Sequence, residues 1–335
     1  MNFENFKCFL ELFVHLVIFL LVGFFISPAW ALLTPEQQIA KNEGLVFYHL
    51  KQSDFAVPYL YIAATSGDME SQYYMGEIAR RKAMFMSAEA QAWYEKAAEQ
   101  GDVYAMFRLR SGDKTLCILL DNCGSEVRSP EAWGEIARNL AEYRASQGDG
   151  EAMFQLFLLT GKVDWLEKSA EVGFAEGQDW LAAQYERGSG FFLTPGRREK
   201  EVERLYRSAA EAGYVPAIRN LRRLMWAKSD MDGFRHWTKI AAELGDFEIT
   251  FSYAAWTAHT PNQVNYPLDL VKGYGLTLLI AQAEPGTWRK SYGEEALIEV
   301  AAKMTPEQIE AGIAFAEEWK KTHPPLSRFL PKYGY

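Results

Sequence analysis

Along most of this chain the apolar and polar positions follow a helical rhythm that breaks at a glycine and then starts again. Six aligned stretches carry the break: Tyr59 to Asp68, Trp93 to Asp102, Leu140 to Asp149, Trp165 to Phe174, Leu205 to Tyr214 and Trp237 to Asp246. Each has an aromatic residue or Leu eight positions before its glycine. Small pairs precede it, as in Ala97/Ala98, Ser169/Ala170, Ala209/Ala210 and Ala241/Ala242. On a helix this places bulk and a close-approach surface on neighbouring turns. Gly67, Gly101, Gly148, Gly173, Gly213 and Gly245 then stand where a chain leaves a helix through the left-handed region, which a residue without Cβ does at little cost. Asp68, Asp102, Asp149 and Asp246 follow at once and are suited to cap the next helix. The pattern predicts helix, turn, helix, repeated at glycine intervals of 34, 47, 25, 40 and 32 residues, which is the mark of a solenoid.

Outside the repeats, Thr34-Pro35-Glu36-Gln37, Ser129-Pro130-Glu131 and Thr305-Pro306-Glu307 each read as a helix start: a capping hydroxyl, proline in the first turn, and acid at the positive end of the dipole. Sustained alternation bounded by Asn-Gly or Asp-Gly turns is missing, so the expected fold is all-α. A loop from His259 to Pro267 precedes an apolar helix from Leu268 to about Ala283, which Glu284-Pro285-Gly286 breaks, and a final amphipathic helix runs from Thr305 to Lys321. A solenoid needs covered ends, and residues 32–54 and 268–321 are assigned to those caps. The remaining tail, 322–335, holds Pro324, Pro325 and Pro331 with Phe329, Leu330, Tyr333 and Tyr335. Two readings stand for it: an extended strap on the last helix, or a flexible partner-binding segment.

The segment Trp93-Tyr94-Glu95-Lys96-Ala97-Ala98-Glu99-Gln100-Gly101 resembles the second half of the Sel-one-like repeat, a relative of the tetratricopeptide repeat. A nearly complete unit of that kind runs from Ala175 through Leu181, Tyr185, Gly188 and Gly190 to Leu205, Tyr206, Ala209, Ala210 and Gly213. It departs in having Ala182 where the family places glycine after Leu. The resemblance covers about residues 55 to 258 in some six imperfect units, and it implies a right-handed α–α superhelix that serves as a scaffold.

The first 31 residues read as a separate object. Leu12 to Ile26 is apolar apart from His15 and Gly23, and Ser27-Pro28-Ala29-Trp30-Ala31 supplies a small-residue cleavage pattern. This is the signature of a signal peptide cut after Ala31 and gives a periplasmic expectation, with retention as an inner-membrane anchor facing the periplasm as the alternative. The whole chain carries a formal net charge of −9. Removing Lys7, Glu4 and Glu11 leaves it acidic, which argues against nucleic acid as a partner. Cys117 and Cys123 remain, spaced for a local disulfide in an oxidising compartment; two unpaired thiols are the alternative. The pair falls within the longest glycine interval and would pin an inserted loop.

Candidate chemistry is sparse. His49, His236, His259 and His323 are not spaced to share a helix face, and no metalloprotease or phosphate-loop pattern occurs. Ser111-Gly112-Asp113-Lys114 fits S-x-x-K without the partner motifs that chemistry needs. The expectation is no enzyme, no cofactor, no metal and no small-molecule substrate. What remains is surface, and the loop aromatics Phe191, Phe192, Tyr266, Trp288 and Tyr292 are the candidate partner-binding residues; the alternative is that their loops fold back and bury them. The overall layout of leader, degenerate repeats and a terminal Thr-Pro-Glu-Gln helix is similar to that of periplasmic Sel-one-like-repeat immunity proteins linked to type VI secreted phospholipase D effectors. That resemblance implies steric neutralisation of a toxic lipase. An envelope scaffold for a secretion or polysaccharide-export complex, and a cell-wall hydrolytic enzyme on a helical platform, are the competing functions.

Overall fold

All six repeat glycines have positive φ, between 81° at Gly213 and 100° at Gly101, and all six make the same pair of backbone bonds. The glycine N–H reaches the carbonyl three residues back and the next N–H reaches the carbonyl five back, as in Gly101 to Ala98 (2.9 Å) and Asp102 to Ala97 (3.1 Å). This is the Schellman closure, which satisfies carbonyls that a helix end would leave bare. The residue after the glycine then opens the next helix. Asp68, Asp102, Asp149 and Asp246 each accept a backbone N–H from the first turn. Where Phe174 and Tyr214 take that place no side-chain cap forms, and their rings pack against the core instead.

The computed structural model describes residues 32–112, 115–125, 127–261, 264–283 and 288–333. The segment 1–31 and the Glu284-Pro285-Gly286 break lie outside them. A first hairpin, α1 (Pro35–His49) and α2 (Ser53–Thr65), leads into α3 (Met69–Ala83) and α4 (Ala88–Glu99). Next come α5 (Val103–Ser111) and α7 (Pro130–Ser146), separated by an insertion that holds the short α6 (Thr115–Leu119). Then follow α8 (Gly150–Thr160), α9 (Val163–Glu171), α10 (Ala175–Glu186), α11 (Arg197–Glu211), α12 (Val215–Ala227), α13 (Met231–Glu243) and α14 (Phe247–Thr257). The chain closes with α15 (Leu270–Ala283), α16 (Trp288–Ala301) and α17 (Pro306–Thr322). The expected starts after Thr34, Ser129 and Thr305 are all found, with capping boxes at Thr34 and Thr305. Among the described residues no strand forms; Asp246 and Ser327 make one isolated bridge.

From α1 to α5 and from α7 to α16 each helix packs on its neighbours in sequence, α5 meets α7 across the insertion, and α15 packs on both α16 and α17. In addition α5 touches α8, α8 touches α10 and α10 touches α12, so the helices that follow the glycines stack into a row of their own. The small pairs let this happen: Ala97, Ala98, Ser169, Ala209, Ala210, Ala241 and Ala242 are buried. The result is an all-α repeat solenoid.

Its ends meet. A single apolar cluster joins Leu50, just after α1, to Phe247, Leu276, Ile280, Trp319 and Leu326, and the Gln52 amide donates to the Ala283 carbonyl at 2.8 Å. The assigned N-terminal cap is therefore half of a hairpin whose second helix already ends in the first glycine turn. The tail begins as a strap on the last helix, with His323 stacked on Trp319 and Leu326 clustered with Ala316 and Trp319, and then, extended apart from a positive φ at Phe329, it crosses the solenoid interior well beyond that helix.

Gly213 has open space where a Cβ would stand, so Gly213→Ala isolates the cost of the left-handed backbone. Urea denaturation should show a loss of about 1 kcal/mol. An unchanged midpoint would mean that the turn does not require φ above zero.

Candidate peptide-binding groove

The row of helices that follow the glycines presents a line of acids and aromatics, and the tail lies along it. Ser327 donates to the Gly245 carbonyl at 2.8 Å and accepts from the Phe247 N–H at 3.0 Å, which anchors the tail backbone at the sixth turn. One residue on, the Arg328 N–H donates to the His49 carbonyl at 3.0 Å. The Arg328 guanidinium pairs with Glu248, lies over the Phe247 ring at 4.3 Å, and is itself buried. Arg219 of α12 donates to the Arg328 carbonyl at 3.0 Å.

Beyond this crossing Leu330 enters the core of the first repeats. The Tyr73 hydroxyl donates to the Lys332 carbonyl. The Lys332 ammonium sits 2.8 Å from Asp102 Oδ2, over the rings of Tyr73 (5.1 Å) and Tyr104 (4.7 Å). Tyr333 meets Phe107 edge-on at 4.6 Å and lies under the Arg108 guanidinium at 4.4 Å. Eleven tail residues, 323–333, thus connect the last glycine turn to the second.

The capping aspartates explain how this socket is built. In each, one carboxylate oxygen accepts the helix N–H and the other faces a cation. For Asp68 the cation is Lys41, for Asp149 it is Arg144, and for Asp246 it is Arg219. All three come from the folded helices. For Asp102 the cap is Ala105 N–H at 2.8 Å, and the cation is Lys332 of the tail.

Charge in the interior is uneven. Burial pushes the Glu77 carboxyl up, but Arg108 and Arg80 outweigh it and hold its pKa below the usual range; Arg108 and the Tyr94 hydroxyl bind the same oxygen, at 2.6 and 2.7 Å. Glu176 goes the other way. Burial, with Glu151 and Asp179 nearby, raises it to about 7 although Lys332 pulls it back. Burial also raises Asp179 to about 6, against a hydrogen bond from Asn220. Among the described residues no group of three or more His, Cys, Asp and Glu side chains is arranged to hold a metal. The interior is suited to holding a cationic, aromatic strand.

The residues singled out from the sequence fall elsewhere, on separate segments. Phe191 is 87% exposed in the turn between α10 and α11. Phe192 is not a surface anchor: it packs edge-on against Tyr185 at 5.1 Å beneath Arg198. Tyr266 also turns inward, stacked on Trp256, with its hydroxyl donating to the Arg235 carbonyl at 3.0 Å; a hydroxyl with a buried partner draws the loop down. Tyr292 is exposed on α16. Trp288 begins α16, and its side chain lies outside the described residues. Cys117 and Cys123 are joined by a disulfide, and the insertion it closes shows Ile118 and Leu119 to solvent.

Sequence reasoning missed the groove. Its available signals were two cations, Arg328 and Lys332, in the tail of an acidic chain, and a capping aspartate repeated along one row.

No protein-family profile matches the chain, and no curated protein matches it in sequence. Among solved structures it is similar to a protective antigen of uropathogenic Escherichia coli strains displaying an SLR fold, at 19% identity, covering 86% of this chain and 77% of that one with a TM-score of 0.36. It is also similar to a Sel1 repeat protein from Oxalobacter formigenes, at 18% identity, covering 85% and 86% with a TM-score of 0.40.

The raised carboxyls set a pH dependence. The folded chain holds these protons more tightly than the unfolded one, so their share of stability is whole below the ordinary carboxyl range and is lost as pH climbs through about 6 and 7. Glu176→Gln removes the larger part. At pH 8 the variant should exceed the parent by about 2 kcal/mol, narrowing to parity near pH 4. Thermal melts across that range check it, and a constant offset would contradict it.

Proposed function

We propose that this chain is a protein-binding scaffold, and more finely an exported immunity protein that neutralises a secreted phospholipase effector in the periplasm. The observation that carries the coarser reading is the groove itself, where rigid helices hold an extended peptide by its backbone, its cations and its terminal aromatic. Rigid rows of side chains on stacked hairpins are the means by which helical repeats grip other polypeptides.

Three further features support the finer reading. A disulfide in the insertion suits an oxidising compartment. Exposed Ile118, Leu119 and Phe191 give apolar contacts at two protrusions. The net negative charge suits a cationic partner and speeds encounter with it. Inhibition would be steric, through cover of the lipase entrance or its membrane-docking surface.

The test is capture with the processed chain from envelope extract, followed by a lipase assay on what co-purifies. The expected result is a stoichiometric complex in which phospholipase activity is suppressed and returns on dissociation. Capture of an assembly without lipase would overturn the immunity reading and favour an envelope scaffold. Turnover by the chain alone, lost in a single point variant, would overturn the scaffold reading too.

A further inference from the structure

The tail has the properties of a bound ligand. It forms no helix of its own, and besides the Phe329 N–H bond to Ser327 Oγ at 2.9 Å its backbone is held by the helices it crosses. Its backbone is held at two carbonyls, those of Gly245 and His49, and by N–H and O–H donors from Phe247, Arg219 and Tyr73. Such bonds recognise an extended chain whatever its sequence. Selectivity comes from three seats: Glu248 with the Phe247 ring for a guanidinium, Asp102 between Tyr73 and Tyr104 for an ammonium, and the slot between Phe107 and Arg108 for an aromatic ring.

One observation separates these seats from ordinary internal packing. Asp102 is the one capping aspartate of the four whose cation comes from outside the helices, and its cap fixes the carboxylate with or without that cation. The socket is therefore preformed, which is what keeps the ordering cost of a ligand low.

We infer that the interior groove is a binding site for an extended partner segment bearing Arg and, four residues later, Lys followed by an aromatic, and that residues 323–333 are its resident substitute, displaced when the partner binds. This rests on the protein-binding reading above and names the chemistry of the partner segment. Acids at both ends of the groove make a basic segment the fitting occupant, and tethering gives the tail a high effective concentration that a weaker external peptide cannot match. The tail thereby acts as a threshold against weak ligands.

The test uses the full chain with a protease site inserted between Thr322 and His323, and a fluorescent synthetic peptide of residues 323–335 as probe. The cleaved protein should exchange its tail for the peptide, and the uncut protein should not bind it. Lys332→Glu in the peptide should weaken binding at least tenfold. Asp102→Asn in the protein should do the same while keeping the cap, since Asn caps as well as Asp. A cleaved protein that keeps its parent melting transition and ignores the peptide would overturn the inference, as would equal binding by cut and uncut protein. Should cleavage unfold the chain, the uncut Lys332→Glu/Tyr333→Ala variant takes its place. It should bind the unmodified peptide where the parent does not, and equal behaviour of the two overturns the inference. Tail exchange between uncut copies, seen as dimers on sizing, would overturn the partner part in favour of self-association. Failure of lipase capture leaves all of these outcomes readable, because the probe is independent of any lipase.

Discussion

The structure depends on one constraint, the reversal of direction at a glycine that must adopt positive φ. That single conformation ends one helix, satisfies two of its carbonyls, and delivers the next residue to the start position of the following helix. An L-residue with Cβ resists it. Because the turn is the same six times, successive hairpins are presented at related angles, and buried alanines let them close to packing distance. The row that results is what brings Tyr73, Asp102, Tyr104, Arg219 and Phe247 onto one side. The site is thus a by-product of turn geometry, with the chemistry of each seat added at one or two positions.

Electrostatics inside the row work in opposite directions a short way apart. Glu77 is stabilised as an anion because three guanidiniums converge on it. Glu176 and Asp179 lie where burial dominates and counter-charge is thin. A buried carboxylate is costly unless paired, so the second region is held less firmly at neutral pH, and the cation that eases it belongs to the tail. Occupancy of the groove and ionisation of its wall are coupled through Lys332.

Much of this was legible in the amino-acid sequence, and the part that was not has a physical cause. The helices, their caps and the glycine turns are local, written in residues three to eight apart, so Thr34, Asp102, Gly213 and Thr305 could be read directly. Tail placement is a matter of contacts across more than 200 positions, such as Lys332 with Asp102, and nothing in a tail rich in proline states where it docks. The loop aromatics misled for a related reason. Tyr266 and Phe192 sit in irregular segments that look exposed, but a hydroxyl with a carbonyl partner in one case and an aromatic neighbour in the other turn them inward.

A linear array of hairpins ordinarily frays from either extremity, because the outermost unit has a neighbour on one side only. Here Leu50 and Leu326 share a cluster, and Arg328 ties the first hairpin to the fourteenth helix, so neither extremity is loose. The piece that completes the ring, residues 323–333, follows every hairpin in the chain. Each hairpin therefore leaves the ribosome before its latch does and stands stacked but unlatched, with the interior open to other molecules, until that piece emerges.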